Sequence, residues 1–383
     1  MPLLPCAVAL AALLCGCSAG DEAGPAPRPQ VTARVRRLSV REYVRSVERL
    51  VGVTISPYRF LADSLETGYD NGPVSGSVQP EQADSYEFVA WEVADAAVRD
   101  HRDRLLGSCD PTVAGAAACE QAFFDGFVVR ALRRPPTASE RARYQALFEQ
   151  ASAAGGFDEA LSATTAAILE SPSFLYRTEI GQLGALDPYE VSTQLAFLLT
   201  GVPPDDELLE AARTGGLDDS AGMRAQAARL LSTADAREQF RHFLDQWLAT
   251  WQLDTVQKDG RVYPSFDGPL RDAMRKDLDR FYQYVVFDSP GRSLADLLGS
   301  QVGFVDAHLA PLYGVAAPAG DQPVQVDLDP QIRRGILTRA GFLSVHSGVD
   351  SSNPIARGVF LLSAVLCAAP QAPPAGIPRV PPG

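Results

Sequence analysis

The stretch "SVREYVRSVERLVG", residues 39 to 52, contains the signals of a complete amphipathic helix. Ser39 followed by Glu42 is the pattern of a capping box, in which each side chain pairs with the backbone N–H of the other residue. Gly52 supplies the stop, because glycine readily adopts the left-handed conformation that ends many helices. The apolar residues recur at helical spacing, at Val40, Tyr43, Val44, Val47, Leu50 and Val51. The stretch therefore predicts a helix that buries one face.

The same signals recur along the chain. Thr137 and Glu140 repeat the capping box, and Asp187 precedes a proline and Glu190 in the same arrangement. Alternating β-branched runs are scarce, and the clearest is the short "VQVDL" at 324–328. We therefore predict an all-α fold of many packed helices with at most short β-strands. Further helical segments are predicted near residues 82–105, 120–133, 157–170, 205–213, 220–231, 235–250, 268–287, 331–345 and 354–366.

The length and charge of the chain limit its class. The 383 residues exceed what one hydrophobic core usually serves, which suggests roughly two or three domains. There are 34 Lys and Arg against 47 Asp and Glu, a formal net charge of −13. A phosphate backbone would be repelled by this charge, so the composition excludes a general nucleic-acid binder.

The first residues have the pattern of an export signal. An apolar run over residues 3–14 is too short to span a bilayer and is followed by small residues. Cys17, preceded by a small residue, resembles the lipidated cysteine of bacterial lipoproteins, and the alternative is ordinary cleavage near Ala19 without a lipid. We predict a signal peptide over 1–16 and a flexible tether over 17–34. The predicted location is the bacterial cell envelope, periplasmic or facing the outer membrane.

Three cysteines lie beyond this signal. Cys109 and Cys119 are separated by the small-residue loop "DPTVAGAAA", and thiols outside the cytosol tend to oxidise. We predict a disulfide between them. Cys367 has no evident partner.

Four stretches of the sequence, in this order, resemble a large family of exported proteins that is abundant in planctomycetes and myxobacteria. The family consists of successive domains of unknown function, often linked with c-type cytochrome modules, and the resemblance begins at about residue 34. It implies cytochromes or other envelope proteins as partners, and it implies no particular chemistry. The stretches are "RRLSVREYVRSVERLVG", "FVVRALRRPPTASERARYQALF" with "AILESPSFLYRTEIG", "LDPYEVSTQLAFLLTGVPPDDELLEAA" with "FLDQWL", and "RRGILTRAGFLSVHSGVDSSNPIARGVFLLSAVLC".

The order of these stretches predicts how the chain is divided. In similar proteins a proline-rich linker leads to a Cys-x-x-Cys-His module, and this chain is expected to stop before that module. The predicted parts are an N-terminal helical domain over 35–105, a disulfide-containing helical domain over 106–182, a central helical domain over 183–320, a C-terminal helical module over 321–367 and the linker over 368–383.

The segment "HSGVDSSNPIARG", residues 346 to 358, gathers polar residues and has two interpretations. The first is a joint between two helices, with Asn353 as the N-cap of the last helix and His346 at the end of the helix before it. Arg357 would then fold back onto Asp350. The second is a catalytic or ligand site, because two helix ends that meet in a loop form a common place for one.

In the catalytic interpretation, His346 is a general base or a ligand, and Ser351 or Ser352 is a nucleophile. Asp350 and Arg357 would line the same pocket. A His346→Ala substitution separates the two interpretations, because loss of stability alone favours the joint.

Two further groups are candidate metal sites. Asp63, Glu66 and Asp70 offer hard oxygen ligands that suit calcium, although their spacing is not that of an EF-hand and a simple chain reversal explains them as well. His242 and Asp245 lie three residues apart on a predicted helix, which suits either a shared metal or a solvated face.

The remaining candidates are two pairs of large side chains. Trp247 and Trp251 lie one helical turn apart, a spacing typical of core packing and sometimes of a carbohydrate platform. Arg133 and Arg134 end a helix, where cations complement the helix dipole, and an anion site is the alternative. The sequence contains no Cys-x-x-Cys-His, no glycine-rich phosphate loop and no Gly-x-Ser-x-Gly, so no cofactor is predicted.

Two functions are consistent with these features. The first is an anchored, helical binding or scaffolding module of the cell envelope that works with partners such as c-type cytochromes. The alternative is an extracytoplasmic enzyme that acts on an envelope or polymeric substrate in a pocket around His346, Asp350 and Arg357.

Overall fold

The computed structural model describes residues 34–65, 68–72, 77–181, 185–320 and 322–368. It confirms the predicted all-α class, because helices dominate these residues and the strands form two small antiparallel pairs. The elements from the first strand to the second are β1 Arg34–Arg37, α1 Val40–Val51, α2 Pro80–Asp100, α3 Arg102–Leu106, α4 Pro111–Ala114, α5 Ala116–Asp125, α6 Phe127–Leu132, α7 Ala138–Gly155, α8 Phe157–Leu169, α9 Pro172–Leu175 and β2 Tyr176–Glu179.

The second half of the chain is helical as well. Short 3₁₀ turns cover Pro57–Arg59 in the first half and Thr250–Asp254 and Ile336–Thr338 in the second half. In the second half, π-helical turns also cover Tyr284–Asp288 and Leu361–Val365. The remaining elements are α10 Pro188–Thr200, α11 Asp206–Arg213, α12 Ser220–Leu231, α13 Ala234–Trp247, α14 Gly268–Gln283, α15 Leu294–Gly299, β3 Val302–Val305, α16 Ala310–Tyr313, β4 Val324–Asp327, α17 Ala340–Val345 and α18 Pro354–Phe360.

The capping signals read from the sequence form as predicted. Ser39 Oγ accepts a hydrogen bond from the Glu42 N–H at 3.1 Å, and Glu42 Oε2 accepts one from the Ser39 N–H at 3.0 Å. Gly52 ends α1 with a φ of 77°, in the left-handed region. The capping boxes at Thr137 and Asp187 are also present. Each cap satisfies backbone N–H groups that would otherwise have no partner, which stabilises a helix end by about 1 kcal/mol.

Buried apolar side chains form three clusters. The largest joins α1 to α9 and reaches Phe197 of α10, a second lies between α10, α11 and α12, and a third is built around α14 with the strands β3 and β4. Helix α8 packs against both α2 and α7, because its small residues Ala160 and Ala166 are fully buried and allow close approach. The residue limits given above for the domains stay predictions.

The sheet of β1 and β2 ties the start of the described chain to a distant segment. The strands pair antiparallel, with Arg34 opposite Glu179 and Arg37 opposite Tyr176. One residue further, the Leu38 N–H donates to the Leu175 carbonyl at 2.8 Å. Neither β1 nor β2 is predicted from the sequence. The strand predicted at 324–328 does form, as β4, and pairs with β3.

The predicted disulfide between Cys109 and Cys119 is present, with a Cα–Cα distance of 5.4 Å. It closes the loop that contains the short helix α4. Cys367 is exposed and is not part of a disulfide.

Three helix predictions are wrong in extent. The segment 82–105 is broken at His101, which separates α2 from α3. The segment 120–133 is broken at Gly126, which separates α5 from α6. The segment 331–345 becomes helical only in the 3₁₀ turn and in α17. Gly335 explains the break in the segment 331–345, because its φ is 52° and a Cβ there would lie 2.3 Å from the backbone carbonyl carbon of Leu298.

Several sequence predictions fall outside the described residues. These are the signal peptide over 1–16, the lipidated Cys17, most of the tether over 17–34 and most of the linker over 368–383. Among the residues that are described, no helix combines the length and the apolar character that a membrane crossing requires.

Candidate functional site

The segment 346–358 forms the helix joint that the first interpretation describes. His346 is the C-cap of α17, and its Nε2 donates a hydrogen bond to the Leu248 carbonyl at 3.0 Å. The imidazole packs against Phe342 and Phe360, with ring centroids 4.2 and 4.5 Å away. Burial lowers the pKa of His346, and the charge of Arg357 adds to this effect. The imidazole therefore serves as a neutral packing group near pH 7.

The polar residues after His346 have local partners. Asn353 Oδ1 accepts a hydrogen bond from the Ala356 N–H at 2.9 Å, which confirms the N-cap of α18. Asp350 accepts a hydrogen bond from the Ser351 hydroxyl at 3.0 Å. Within the described residues, Arg357 and Asp350 do not form an ion pair.

A cavity of about 540 Å³ lies beside this joint. Its wall is mainly apolar and includes Ser347, Ser352 and Arg357, whereas His346 and Asp350 are not part of it. Lys258 Nζ donates to Ser347 Oγ at 2.8 Å and to the Gly348 carbonyl at 2.6 Å. Burial lowers the pKa of Lys258. The lysine therefore holds the loop that follows α17, and the residues of the enzyme hypothesis do not converge on one cavity.

The predicted calcium ligands have separate partners. Asp63 pairs with Arg37 at 2.7 Å and accepts a hydrogen bond from the Val40 N–H at 2.6 Å. Asp70 accepts a hydrogen bond from His242 Nε2 at 2.9 Å. Glu66 lies outside the described residues.

The predicted pair of His242 and Asp245 does not form. Asp245 accepts hydrogen bonds from the Thr250 hydroxyl at 2.5 Å and from Arg275 at 2.8 Å. No group of three or more His, Cys, Asp and Glu residues in the part of the chain with described coordinates could hold a metal ion.

The two arginines after α6 have structural partners. Arg133 is buried and donates to the carbonyls of Phe174 at 3.1 Å and Tyr176 at 2.8 Å, so it fixes the bend between α9 and β2. Arg134 forms a bidentate pair with Glu140, at 2.8 and 2.9 Å. These contacts occupy the groups that an anion site would use.

The two tryptophans occupy different environments. Trp247 donates a hydrogen bond from Nε1 to the Ala364 carbonyl at 2.9 Å and so fixes the last helix to α13. Its ring stacks on Phe243 at 6.0 Å. Trp251 lies in the 3₁₀ turn after α13 and is partly exposed.

A second cavity, of about 510 Å³, lies between β1, β2, α10 and α13. We call it the His242 pocket. Its wall includes Arg36, Asp70, Arg177, Gln194, His242 and Phe243.

The hydrogen bond between His242 and Asp70 fixes the imidazole on one side of this pocket. Burial acts to raise the pKa of Asp70, but the hydrogen bond and charge of His242, together with Gln246 and Arg41, outweigh it and hold this pKa below its usual value. The carboxylate is therefore ionised near neutral pH and accepts the Nε2–H of His242. The Nδ1 of His242 forms no hydrogen bond with the described residues.

Ion pairs cover the floor of the His242 pocket. Arg36 pairs with Glu179 at 3.1 Å, and Arg177 pairs with Glu42 at 3.2 Å. The guanidinium of Arg177 also lies 4.6 Å from the ring centroid of Phe197. These contacts hold β1, β2 and α1 in fixed positions around the cavity, because each joins two elements.

An aromatic wall faces these polar groups. Tyr69 and Phe243 stack at 6.1 Å with an interplanar angle of 8°. Phe243 is 44% exposed and Leu198 is 68% exposed, so this wall is open to solvent. The pocket therefore has a flat apolar side and a side of fixed polar groups.

The last helix presents a second exposed feature, which we call the α18 stripe. Its four apolar residues lie four, three and four positions apart. The first two share one side of α18, and the last two lie in the π-helical turn that continues it and at the end of that turn. The opposite side is fixed to the body through Phe360 and the Ala364 carbonyl. The stripe residues are 41% to 79% exposed and are Ile355, Val359, Leu362 and Leu366.

His242 and Asp70 are both candidate residues in the sequence, but they are assigned there to different sites. They lie 172 positions apart, and no local spacing connects them. The α18 stripe was detectable in principle, because its spacing is helical, but the sequence alone does not show which helix face is buried.

Four models of known protein families match parts of this chain. Each family model that matches is described as a protein of unknown function, and the matches are PSD3 (DUF1587) over residues 36–99, PSD5 (DUF1595) over 119–179, PSD4 (DUF1592) over 186–315 and PSCyt3 (DUF1588) over 333–383. Their set defines a multi-domain class, and the chain belongs to the planctomycete family that the sequence resembles. No curated protein and no solved structure matches the chain.

Proposed function

We propose that the protein is a lipid-anchored binding module of the cell envelope, which docks a c-type cytochrome through the α18 stripe. The supporting observation is the exposure of this apolar stripe on a helix whose other side is fixed to the body. Exposed apolar side chains that share one side of a helix are typical of a helix that binds a partner.

The charge of the protein specifies the partner further. A formal net charge of −13 attracts a basic protein and raises its rate of association. A c-type cytochrome with a basic surface fits this charge and the family association. The stripe supplies the apolar centre of the interface, and the surrounding charges supply long-range attraction.

Titration of the purified protein with a basic c-type cytochrome tests this proposal. Calorimetry should show saturable binding that weakens as salt rises, because surface charges are screened. The double variant Ile355→Asp/Val359→Asp should weaken binding at least about tenfold, since it places two charges in the apolar contact. The variant Val113→Asp, at an equally exposed apolar residue far along the chain, is the control and should bind normally.

The same titration has clear opposing outcomes. Absence of binding to the wild-type protein at low salt contradicts the proposal. Equal binding by the double variant would show that the cytochrome docks elsewhere. Thermal unfolding monitored by circular dichroism checks that both variants remain folded.

The lipid anchor has its own test. Replacement of Cys17 by Ser should move the protein from the membrane fraction to the periplasmic fraction, because the thiol that receives the lipid is removed. Mass spectrometry of the wild-type N-terminus should show a lipidated cysteine. A mature N-terminus near Ala19 without a lipid contradicts the anchor.

A further inference from the structure

The charges of the arginines and the carboxylates in the wall of the His242 pocket balance. Its arginines and its carboxylates are equal in number, three of each. An anion or a cation would therefore gain little from this wall. The charged residues are Arg36, Arg41, Arg177, Glu42, Asp70 and Glu179.

Several polar groups of this wall have no protein partner. Arg177 Nε is buried and forms no hydrogen bond. The Gln194 amide and His242 Nδ1 form no hydrogen bond with the described residues. The buried Nε of Arg177 is closed to a ligand, whereas Gln194 and His242 line the cavity and can bond to one. These groups include donors and acceptors, which hydroxyl groups can satisfy because a hydroxyl is both.

The aromatic wall matches the other side of such a ligand. The ring planes of Tyr69 and Phe243 are nearly parallel, and Phe243 is 44% exposed. The negative face of an aromatic ring attracts the slightly positive C–H groups on one face of a sugar ring. The Gln194 amide, which lines the same cavity, can then bond to hydroxyl groups at the edge of the sugar.

We propose that the His242 pocket binds a neutral saccharide, with Phe243 as its stacking platform and Gln194 and His242 as its hydrogen-bonding groups. The cavity of about 510 Å³ is large enough for a mono- or disaccharide. This proposal does not depend on the docking of a partner at the α18 stripe.

The pocket binds the saccharide and does not hydrolyse it. Glycoside hydrolysis uses two carboxyl groups, one of which must be protonated to act as an acid. Asp70, Glu42 and Glu179 are each held in an ion pair or a charged hydrogen bond, and Asp70 has a lowered pKa. Asp70 is therefore not available as the acid, and Glu42 and Glu179 are engaged by Arg177 and Arg36.

Saturation-transfer NMR and calorimetry with defined sugars test this proposal. The neutral probes are cellobiose, maltose and N,N′-diacetylchitobiose, and the charged probes are digalacturonate and inorganic phosphate. At least one neutral disaccharide should bind saturably and more tightly than either charged probe. Phe243→Ala should weaken that binding at least tenfold, and Phe88→Ala, at an exposed ring on α2, should leave it unchanged.

A second variant guards against loss of the fold. Gln194→Leu keeps the size of the side chain but removes its hydrogen bonds, and it should weaken the same binding several-fold while the melting temperature stays close to that of the wild type. The proposal is overturned if no neutral probe binds, if phosphate or digalacturonate binds more tightly, or if Phe243→Ala and Gln194→Leu both bind as the wild type does.

Discussion

Replacement of Asp277 by Asn is expected to lower the free energy of unfolding of the core around α14, β3 and β4 by about 3 kcal/mol. Asp277 on α14 is fully buried and forms an ion pair with Arg339, which is 1% exposed. Its carboxylate also accepts hydrogen bonds from the Phe304 N–H at 2.9 Å and from the Tyr313 hydroxyl at 2.7 Å.

The size of this effect follows from the partner that remains. Asparagine keeps the shape of the side chain and can still accept hydrogen bonds, but Arg339 is left as a buried cation without a carboxylate. Breaking a buried pair in this way costs about 3–5 kcal/mol. We expect the lower end, because Arg339 keeps a hydrogen bond to the Val302 carbonyl and lies 3.4 Å from the ring centroid of Phe281.

A double-mutant cycle isolates the pair. Arg339→Met alone and Asp277→Asn alone should each be strongly destabilising, whereas the double variant should be more stable than their sum predicts by at least about 2 kcal/mol. The assay is urea unfolding, and it is monitored by hydrogen exchange of the α14 amides, which report on this core. A cost below about 1 kcal/mol for Asp277→Asn, or a coupling near zero, would refute the reasoning.

Three further predictions concern single sites. Replacing Cys109 and Cys119 together by Ser should lower the free energy of unfolding by about 2–3 kcal/mol, since the closed loop is short, and unchanged urea midpoints would contradict this. The hydrogen bonds and charge of Arg134 hold the pKa of Glu140 well below its usual value, so the stabilisation by Glu140 is complete above the unfolded pKa of about 4.3 and is lost as the pH falls through the folded pKa. Glu140→Gln should therefore lower the melting temperature at pH 7 and have a smaller effect at pH 3, and a pH-independent difference would count against the ion pair. His346→Ala should cost about 2 kcal/mol, through loss of packing and of one hydrogen bond, while saccharide and cytochrome binding persist; loss of binding in a folded variant would favour the catalytic interpretation of the segment 346–358.

Sequence reasoning succeeds where the determining contacts are local. The cap of α1 depends on Ser39 and Glu42, three positions apart, and the disulfide depends on two cysteines in one short loop. The start of α18 depends on Asn353 and the proline after it. In each case the residues that fix the structure are neighbours in the sequence, so their spacing is sufficient to predict it.

Sequence reasoning fails where the partner is distant. The strands β1 and β2 have the sequences "RVRR" and "YRTE", which lack β-branched alternation, and they form because each completes the hydrogen bonds of the other. The ion pair of Arg339 with Asp277 joins residues 62 positions apart and has no local signal. The pairing of His242 with Asp70 has the same origin.

The pairing of β1 with β2 affects how the chain acquires its structure during synthesis. Arg34 finds its position only when Glu179 is available, 145 residues later. At about 5–20 residues per second, the ribosome needs about 7–30 s to make that interval. Throughout this delay Tyr43 of α1 lacks its ring contact with Phe174 of α9, so this part of the core can be completed only late in synthesis.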